Sequence, residues 1–324
     1  MKRGLRGLGC AVLAAFAVNA WCQSGYPAPG KPIRMVLPFP PASPSDIIGR
    51  ALAQKMSEHM SVPIVAENRP GAGGNLGLAV VAKAPPDGYT ITVTTPAIAL
   101  GPSLYHNPGY DAQRDLTSVA RLATIENVLL VHPNVPAKTL RQFIDIARKH
   151  PGKLNYGSGG AGTTNHLANE LLKSLENINI VHVPYKGATM AAVALMGGEV
   201  DEVVVSVASS LPYIRTGKVR PLAVLSIKRV AALPDVPTAI ESGVKGFLMS
   251  IWYGMLAPGR LPPELTARLN QEALKALASP DLKERLSAQG VDPWPGSATE
   301  FEQLVRNETA RYAKVIEKAG LRKE

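Results

Sequence analysis

Short apolar runs of strand length alternate with helical patterns along almost the whole chain, and this alternation constrains the fold more than any other feature. Residues 33–38 (IRMVLP) form an apolar run, and residues 47–60 repeat apolar side chains at Ile48, Leu52, Met56 and Met60, one face of a helix. Residues 62–66 read as a second strand, 71–77 as a glycine-rich loop, 78–84 as a short helix and 89–94 (YTITVT) as a third strand. Strands separated by helices in this way predict parallel pairing, because a helical crossover returns the chain to the same edge of the sheet. Further on, residues 128–132 read as a strand and 140–149 as a helix stopped by Pro151 and Gly152. Strands are then expected at 154–157, 178–183, 200–205 and 219–225, with helices at 164–175, 189–196 and 209–216 between them. One more strand at 253–257 precedes helices around 263–277, 280–289 and 299–319.

A length of 324 residues predicts two domains of ordinary size. No linker rich in Ser, Gly or charge separates the two cycles, so the chain should pass between lobes through extended segments near 124–128 and 224–227. Two such crossings return the C-terminal helices to the first lobe and leave a cleft between lobes. The expected division is 23–125 with 227–324 as one lobe and 126–226 as the other, each a doubly wound, mostly parallel α/β sheet. A 46% apolar share excludes intrinsic disorder and supplies a full core.

The first 22 residues read as a signal peptide. Lys2, Arg3 and Arg6 precede an apolar run over residues 8–18, too short to span a bilayer, and Val18 and Ala20 offer small residues for cleavage. A short buried N-terminal helix is the alternative, and cleavage after Cys22 is equally open. Export to the periplasm is therefore expected. Both cysteines, Cys10 and Cys22, lie at or before the expected cleavage point, which excludes a cysteine nucleophile, a thiolate metal site and an internal disulfide in the mature chain. The net charge of +10 is scattered and only 5% of residues are aromatic, so the basic stripe with stacking rings that nucleic acid requires is absent.

Two loops carry the candidate chemistry. Phe39, Pro40, Pro41, Ala42, Ser43, Pro44, Ser45 and Asp46 follow the first strand, with Ser43 as N-cap, Pro44 at the first helical position and Asp46 closing a capping box. The carboxyl end of a strand in an open α/β sheet is where ligands bind, although the same pair reads equally as a cap with no ligand role. The second loop runs Tyr156, Gly157, Ser158, Gly159, Gly160, Ala161, Gly162, Thr163, Thr164, Asn165, His166. Its glycines match G-x-G-x-x-G, but the acidic residue that would hold a ribose is replaced by the run His182-Val183-Pro184-Tyr185, so no dinucleotide or other cofactor is expected. The surviving function is an anion cradle built from backbone N–H groups and the Thr163 and Thr164 hydroxyls. Hydrolase, zincin and P-loop signatures are absent, the six histidines show no metal spacing, and no carboxylate pair stands out as acid and base. The pattern points to binding without turnover.

Eight short segments in order resemble the solute receptors of tripartite tricarboxylate transporters, also called Bordetella uptake gene receptors. They begin with Pro38-Phe39-Pro40-Pro41 and Asp46, Glu67-Asn68-Arg69-Pro70-Gly71-Ala72-Gly73-Gly74-Asn75, Pro86-Asp87-Gly88-Tyr89 and Pro102-Ser103-Leu104-Tyr105. They continue with Gly157-Ser158, His166-Leu167 and Glu170, then Val183-Pro184-Tyr185-Lys186-Gly187, then Leu233-Pro234-Asp235-Val236-Pro237-Thr238, then Trp252-Tyr253-Gly254. The resemblance implies a two-lobed periplasmic-binding-protein fold, type II-like, that closes as a Venus flytrap on a small carboxylated solute and delivers it to a membrane permease. It implies a ligand held by residues 39–46 and 157–164, with further walls near Thr95, Lys186, Gly187, Thr189 and Ser206. The implied ligand-binding set is therefore Phe39, Pro41, Ala42, Ser43, Asp46, Thr95, Ser158, Gly159, Gly160, Gly162, Thr163, Thr164, His166, Lys186, Gly187 and Ser206. A monomer is expected. Two departures from the family pattern bear on the ligand: Ala42-Ser43 stands where a Gly-Gly pair is usual, and Val205 where many members carry an aspartate, which favours a plain carboxylate over an amino acid. An exported α/β hydrolase and a receptor that signals to a sensor partner are the competing readings.

Overall fold

A computed structural model describes residues 25–41, 43–160, 163–318 and 320. The expected signal peptide, Ala42 and Gly162 lie outside the described residues. Two sheets organise the chain. Sheet A contains β1 (Ile33–Leu37), β2 (Ile64–Asn68), β3 (Thr90–Thr94), β4 (Leu116–Ile125), β10 (Ile251–Pro258) and β11 (Asp292–Gly296), in the order β11-β4-β10-β3-β1-β2. Sheet B contains β5 (Asn127–Val131), β6 (Asn155–Ser158), β7 (Val181–Pro184), β8 (Glu202–Ser206) and β9 (Arg220–Val224), in the order β7-β6-β8-β5-β9.

Helices α1 (Pro44–Met60), α2 (Asn75–Ala82) and α3 (Ala97–Leu104) belong to the first cycle. The second supplies α4 (Leu140–Lys149), α5 (Thr164–Glu176), α6 (Ala188–Gly197) and α7 (Val207–Arg215). The C-terminal set is α8 (Pro263–Ala278), α9 (Pro280–Ser287) and α10 (Ala298–Lys318). The amphipathic stripe of α1 buries Ile48, Leu52 and Met56 against Ile33, Met35 and Leu37 of β1 and against α8 and α9. On sheet B, one face of β5 and β8 (Leu130, Val203, Val205) is covered by α6 and α7, while Leu129, Val131 and Val204 face α4 and α5. Helix α10 joins the lobes at the back: Phe301, Tyr312 and Val315 share one apolar cluster with Leu171 and Phe247. Among the described residues, no helix is long and apolar enough to cross a membrane.

The expected two-lobed α/β architecture is present, and each sheet is mixed, with most strands running one way. β1 pairs parallel with β2 and β3, and β6 with β7 and β8, but β10, β4, β11, β5 and β9 enter antiparallel. The helical crossover enforces parallel order only within a cycle. β10 and β5, which bring the chain in from the other lobe, lie between two strands and run against both, whereas β4 and β9 keep the direction of their own cycle.

The crossings themselves are tightly paired. Only Glu126 separates β4 from β5, and the return path runs from β9 through residues 225–250 to β10. Leu225 N–H donates to Asn127 O at 2.8 Å, Met249 N–H to Leu225 O at 2.9 Å, and Asn127 Nδ2 to Met249 O at 2.7 Å. Two chain segments, hydrogen-bonded side by side, thus make the connection between the sheets.

Candidate functional site

Several of the expected site residues follow the carboxyl ends of parallel strands. β1 and β3 run parallel in sheet A, so Phe39, Ser43 and Thr95 follow strands ending at one edge. β6, β7 and β8 run parallel in sheet B, so Ser158, Lys186 and Ser206 do the same there. A cavity of about 400 Å³ takes lining residues from both edges, which places them face to face.

On the sheet A side, Ser43 caps α1: its Oγ accepts from Asp46 N at 3.3 Å, with Pro44 at the first helical position. Asp46 is buried and does not open onto the cleft; its Oδ1 accepts from Arg50 Nε at 2.9 Å and from Asn68 Nδ2 at 2.8 Å. Asn68 Nδ2 also donates to Phe39 O at 3.0 Å, so the aspartate and the asparagine lash the first loop to β2. Pro41 is exposed on that loop, and Thr95 Oγ1 accepts from Ala97 N at 3.3 Å at the start of α3.

On the sheet B side, the glycine-rich loop rests on a buried polar stack. Ser158 is fully buried, with Oγ 2.6 Å from His182 Nε2 and accepting from Gly160 N at 3.0 Å. The His182 ring stacks on His166 at 4.1 Å and on Tyr156 at 4.9 Å, and the Tyr156 hydroxyl donates to Glu170 at 2.7 Å. Burial, reinforced by the neighbouring His166, pushes the His182 pKa down to about 4, and burial lowers that of His166, so both rings are neutral at neutral pH. His166 and Ser158, expected to touch ligand, are therefore turned into the lobe and brace the loop from behind.

The loop in turn lies on the start of α6. A Cβ at Gly159 would fall 2.9 Å from Ala188 N and 3.2 Å from Gly187 C, so only glycine permits this approach. The Thr163 hydroxyl donates to Gly160 O at 2.7 Å rather than capping α5, and Gly187, at φ 115°, gives α6 no side-chain cap. Two neighbouring helices thus begin with first-turn N–H groups that no side chain caps, carrying the positive end of each helix dipole. Lys186 is exposed beside them, and Thr164 is half-buried in the first turn of α5. Helix α7 differs, since Ser206 Oγ accepts from Ser209 N at 3.3 Å and donates to Ser209 Oγ at 2.7 Å.

Of the residues expected from sequence, Ser206 and Thr189 line the cavity, and Pro44 and Asn165 line it next to Ser43 and Thr164. Of its other walls, only Tyr253 and Val205 fall at positions the sequence singled out. Ile125, Ile251 and Tyr253 come from the sheet A side of the connection, and Asn127 and Leu130 from β5. Ala188, Ala192 and Leu195 of α6, Ser209, Ser210 and Tyr213 of α7, and Val205 and Val219 complete it. Among the described residues that line it, none is charged and none is a histidine. Among the described residues, no group of three or more His, Cys, Asp and Glu is placed to hold a metal.

Known proteins share this frame. The model of the tripartite tricarboxylate transporter family receptor matches residues 48–321. A UPF0065 protein from the tcbD-tcbE intergenic region of Pseudomonas sp. (strain P51) is 38% identical over 289 residues, covering 89% of this chain and 86% of that one. The solved structure of Rpa4515 from R. palustris with adipate is 34% identical with a TM-score of 0.74, covering 91% of this chain and 99% of that one. MatC from Rhodopseudomonas palustris, solved with bound malate, is 31% identical with a TM-score of 0.70, covering 90% and 100%. Identity of this extent along nearly the whole of both chains carries common descent as well as fold, and the chain belongs to the tripartite tricarboxylate transporter receptor family.

Proposed function

We propose that this chain is an exported receptor that captures a small carboxylated solute in the cavity between its lobes and delivers it, as a monomer, to a membrane permease. The lobes are residues 23–125 with 227–324 and residues 126–226, and the leader ends near residue 22. The observation that carries this reading is the pair of uncapped helix starts, α5 and α6, at a cavity whose lining holds no acidic side chain to repel an anion. Relatives with malate and adipate bound support a carboxylate as the anion. The first loop and the glycine-rich loop position the donors, and Gly159, Gly160 and Gly187 act through backbone approach.

Release of the solute unchanged is supported by the burial of Ser158, whose contact with His182 is the nearest approach to a nucleophile and base yet is closed off from the cleft. The test is calorimetric titration of the mature chain with a panel of mono-, di- and tricarboxylates and their amides, followed by mass analysis of the recovered ligand. Binding of carboxylates but not amides, with ligand recovered intact, is expected. No heat from any carboxylate, or a chemically altered ligand, overturns the reading.

A further inference from the structure

The two ends of the cavity differ in chemistry, and the difference bears on which carboxylates fit. At the end shared with sheet A lie the helix starts and the hydroxyls of Thr189, Ser206 and Ser209. From there the cavity runs between α6 and α7 to the face of β5 and β8 that these helices cover. Its floor is Leu130, Leu195, Val205 and Val219, each between 0% and 4% exposed, flanked by Ala192 and Tyr213. These floor residues belong to one apolar cluster with Val128 and Val203, so the cavity opens into the hydrophobic interior of the lobe and is not a polar basin. Among the described lining residues none is charged and none is a histidine, so one anionic group is served at the helix starts and a second, carried to the floor, meets mainly hydrocarbon, with only the neutral hydroxyls of Ser210 and Tyr213 beside it. Burying an unpaired charge there is strongly unfavourable, whereas burying an alkyl chain or ring is favourable.

We propose that the site selects monocarboxylates bearing an apolar body, an alkyl chain or ring, over di- and tricarboxylates. The carboxylate sits at the starts of α5 and α6, and the body lies between α6 and α7 on Leu130, Leu195 and Val219. A cavity of about 400 Å³ accepts a compact ligand of this kind. The inference rests on the receptor reading above and narrows it to a ligand class.

The test is a calorimetric series on the mature chain: acetate, butyrate and hexanoate against malate, citrate and adipate. Affinity should rise roughly fourfold per added methylene, the equivalent of about 0.8 kcal/mol each. Adipate, with the same six carbons as hexanoate, should bind at least tenfold more weakly. Ala192→Leu, which narrows the gap between α6 and α7, should remove most of the advantage of hexanoate over acetate. Tighter binding of malate, citrate or adipate than of hexanoate, or a flat series, overturns the ligand class and leaves the receptor reading standing. A chain-length dependence untouched by Ala192→Leu overturns the placement of the body. Silence from every carboxylate overturns both readings together.

Discussion

Gly159→Ala isolates the contact that holds the two uncapped helix starts together. The new methyl carbon would lie 2.9 Å from Ala188 N and 3.2 Å from Gly187 C, both backbone atoms with no rotamer to escape through. Favourable contacts of this kind lie at about 3.5–4.0 Å, so the loop and the start of α6 must part by roughly half an ångström. Overpacking of this sort costs about 1–3 kcal/mol, which for a chain of this size lowers Tm by about 2–4 °C per kcal/mol. The same displacement pulls N–H donors off a bound carboxylate. Losing one charge-assisted hydrogen bond is worth about 1.5–3 kcal/mol, or roughly ten- to hundredfold in Kd. Thermal unfolding followed by circular dichroism and calorimetric titration with the tightest carboxylate measure the two effects. Gly25→Ala, where a Cβ meets nothing within 4 Å, serves as the control. If Gly159→Ala matches the control in both Tm and Kd, the loop does not rest on α6 and the anion site as described is wrong.

Three further outcomes are expected. Glu202 is fully buried, and burial raises its pKa well above the ordinary value against a smaller opposing effect of the neighbouring Asn169 amide. The folded chain therefore keeps a proton that the unfolded chain has released, and stability falls as pH rises above about 4.5. Glu202→Gln should remove that slope and be more stable than the native chain at pH 8 in urea unfolding; an unchanged slope counts against a buried neutral carboxyl. For His182 the sign is opposite: with a folded pKa of about 4 against an ordinary 6.5, the unfolded chain takes up a proton that the folded chain refuses. Stability should drop as pH falls from 6.5 to 4, and His182→Gln should flatten that window, whereas identical profiles would place His182 outside the buried stack. Finally, a tightly bound carboxylate should reduce the radius of gyration in solution scattering as the lobes close about residues 125–127 and 225–250, and an unchanged curve would rule out closure.

Elements with a strong local signal were legible from residues alone. Helix α4 carries Leu140, Phe143, Ile144 and Ala147 on one buried face and ends before Pro151 and Gly152, and β3 is apolar enough at Ile91 and Val93 to be read as a strand. Helix α3 was not expected, since Gly101 and Pro102 weaken its local helical signal, yet Gly101 suits the packing here, because a Cβ at that position would fall 2.9 Å from Asn75 Oδ1. Strand β11 was missed because Pro293 and Pro295 argue against a strand, and they are tolerated because it lies at the sheet edge. Strand β4, ten residues long, is held by β10 and β11, partners more than a hundred positions away.

The same division runs through the site. Glycine, proline, serine and threonine at 39–46, 157–164 and 187 report local backbone conformation, so the helix starts that face the cleft could be found without a structure. Whether a side chain beside them turns outward or inward is a matter of packing. Ser158 and His166 turn inward because Tyr156 and His182, from neighbouring strands, supply the stack that receives them. The cavity walls depend on tertiary structure still more completely. Leu130, Leu195 and Val219 have the same apolar character as the core residues around them, and a cavity is the space left where α6, α7 and β5 fail to fill one another. Local residues thus determined where two neighbouring helices begin without side-chain caps, and only the packing of distant elements decided that the space behind those starts is lined mainly by apolar side chains.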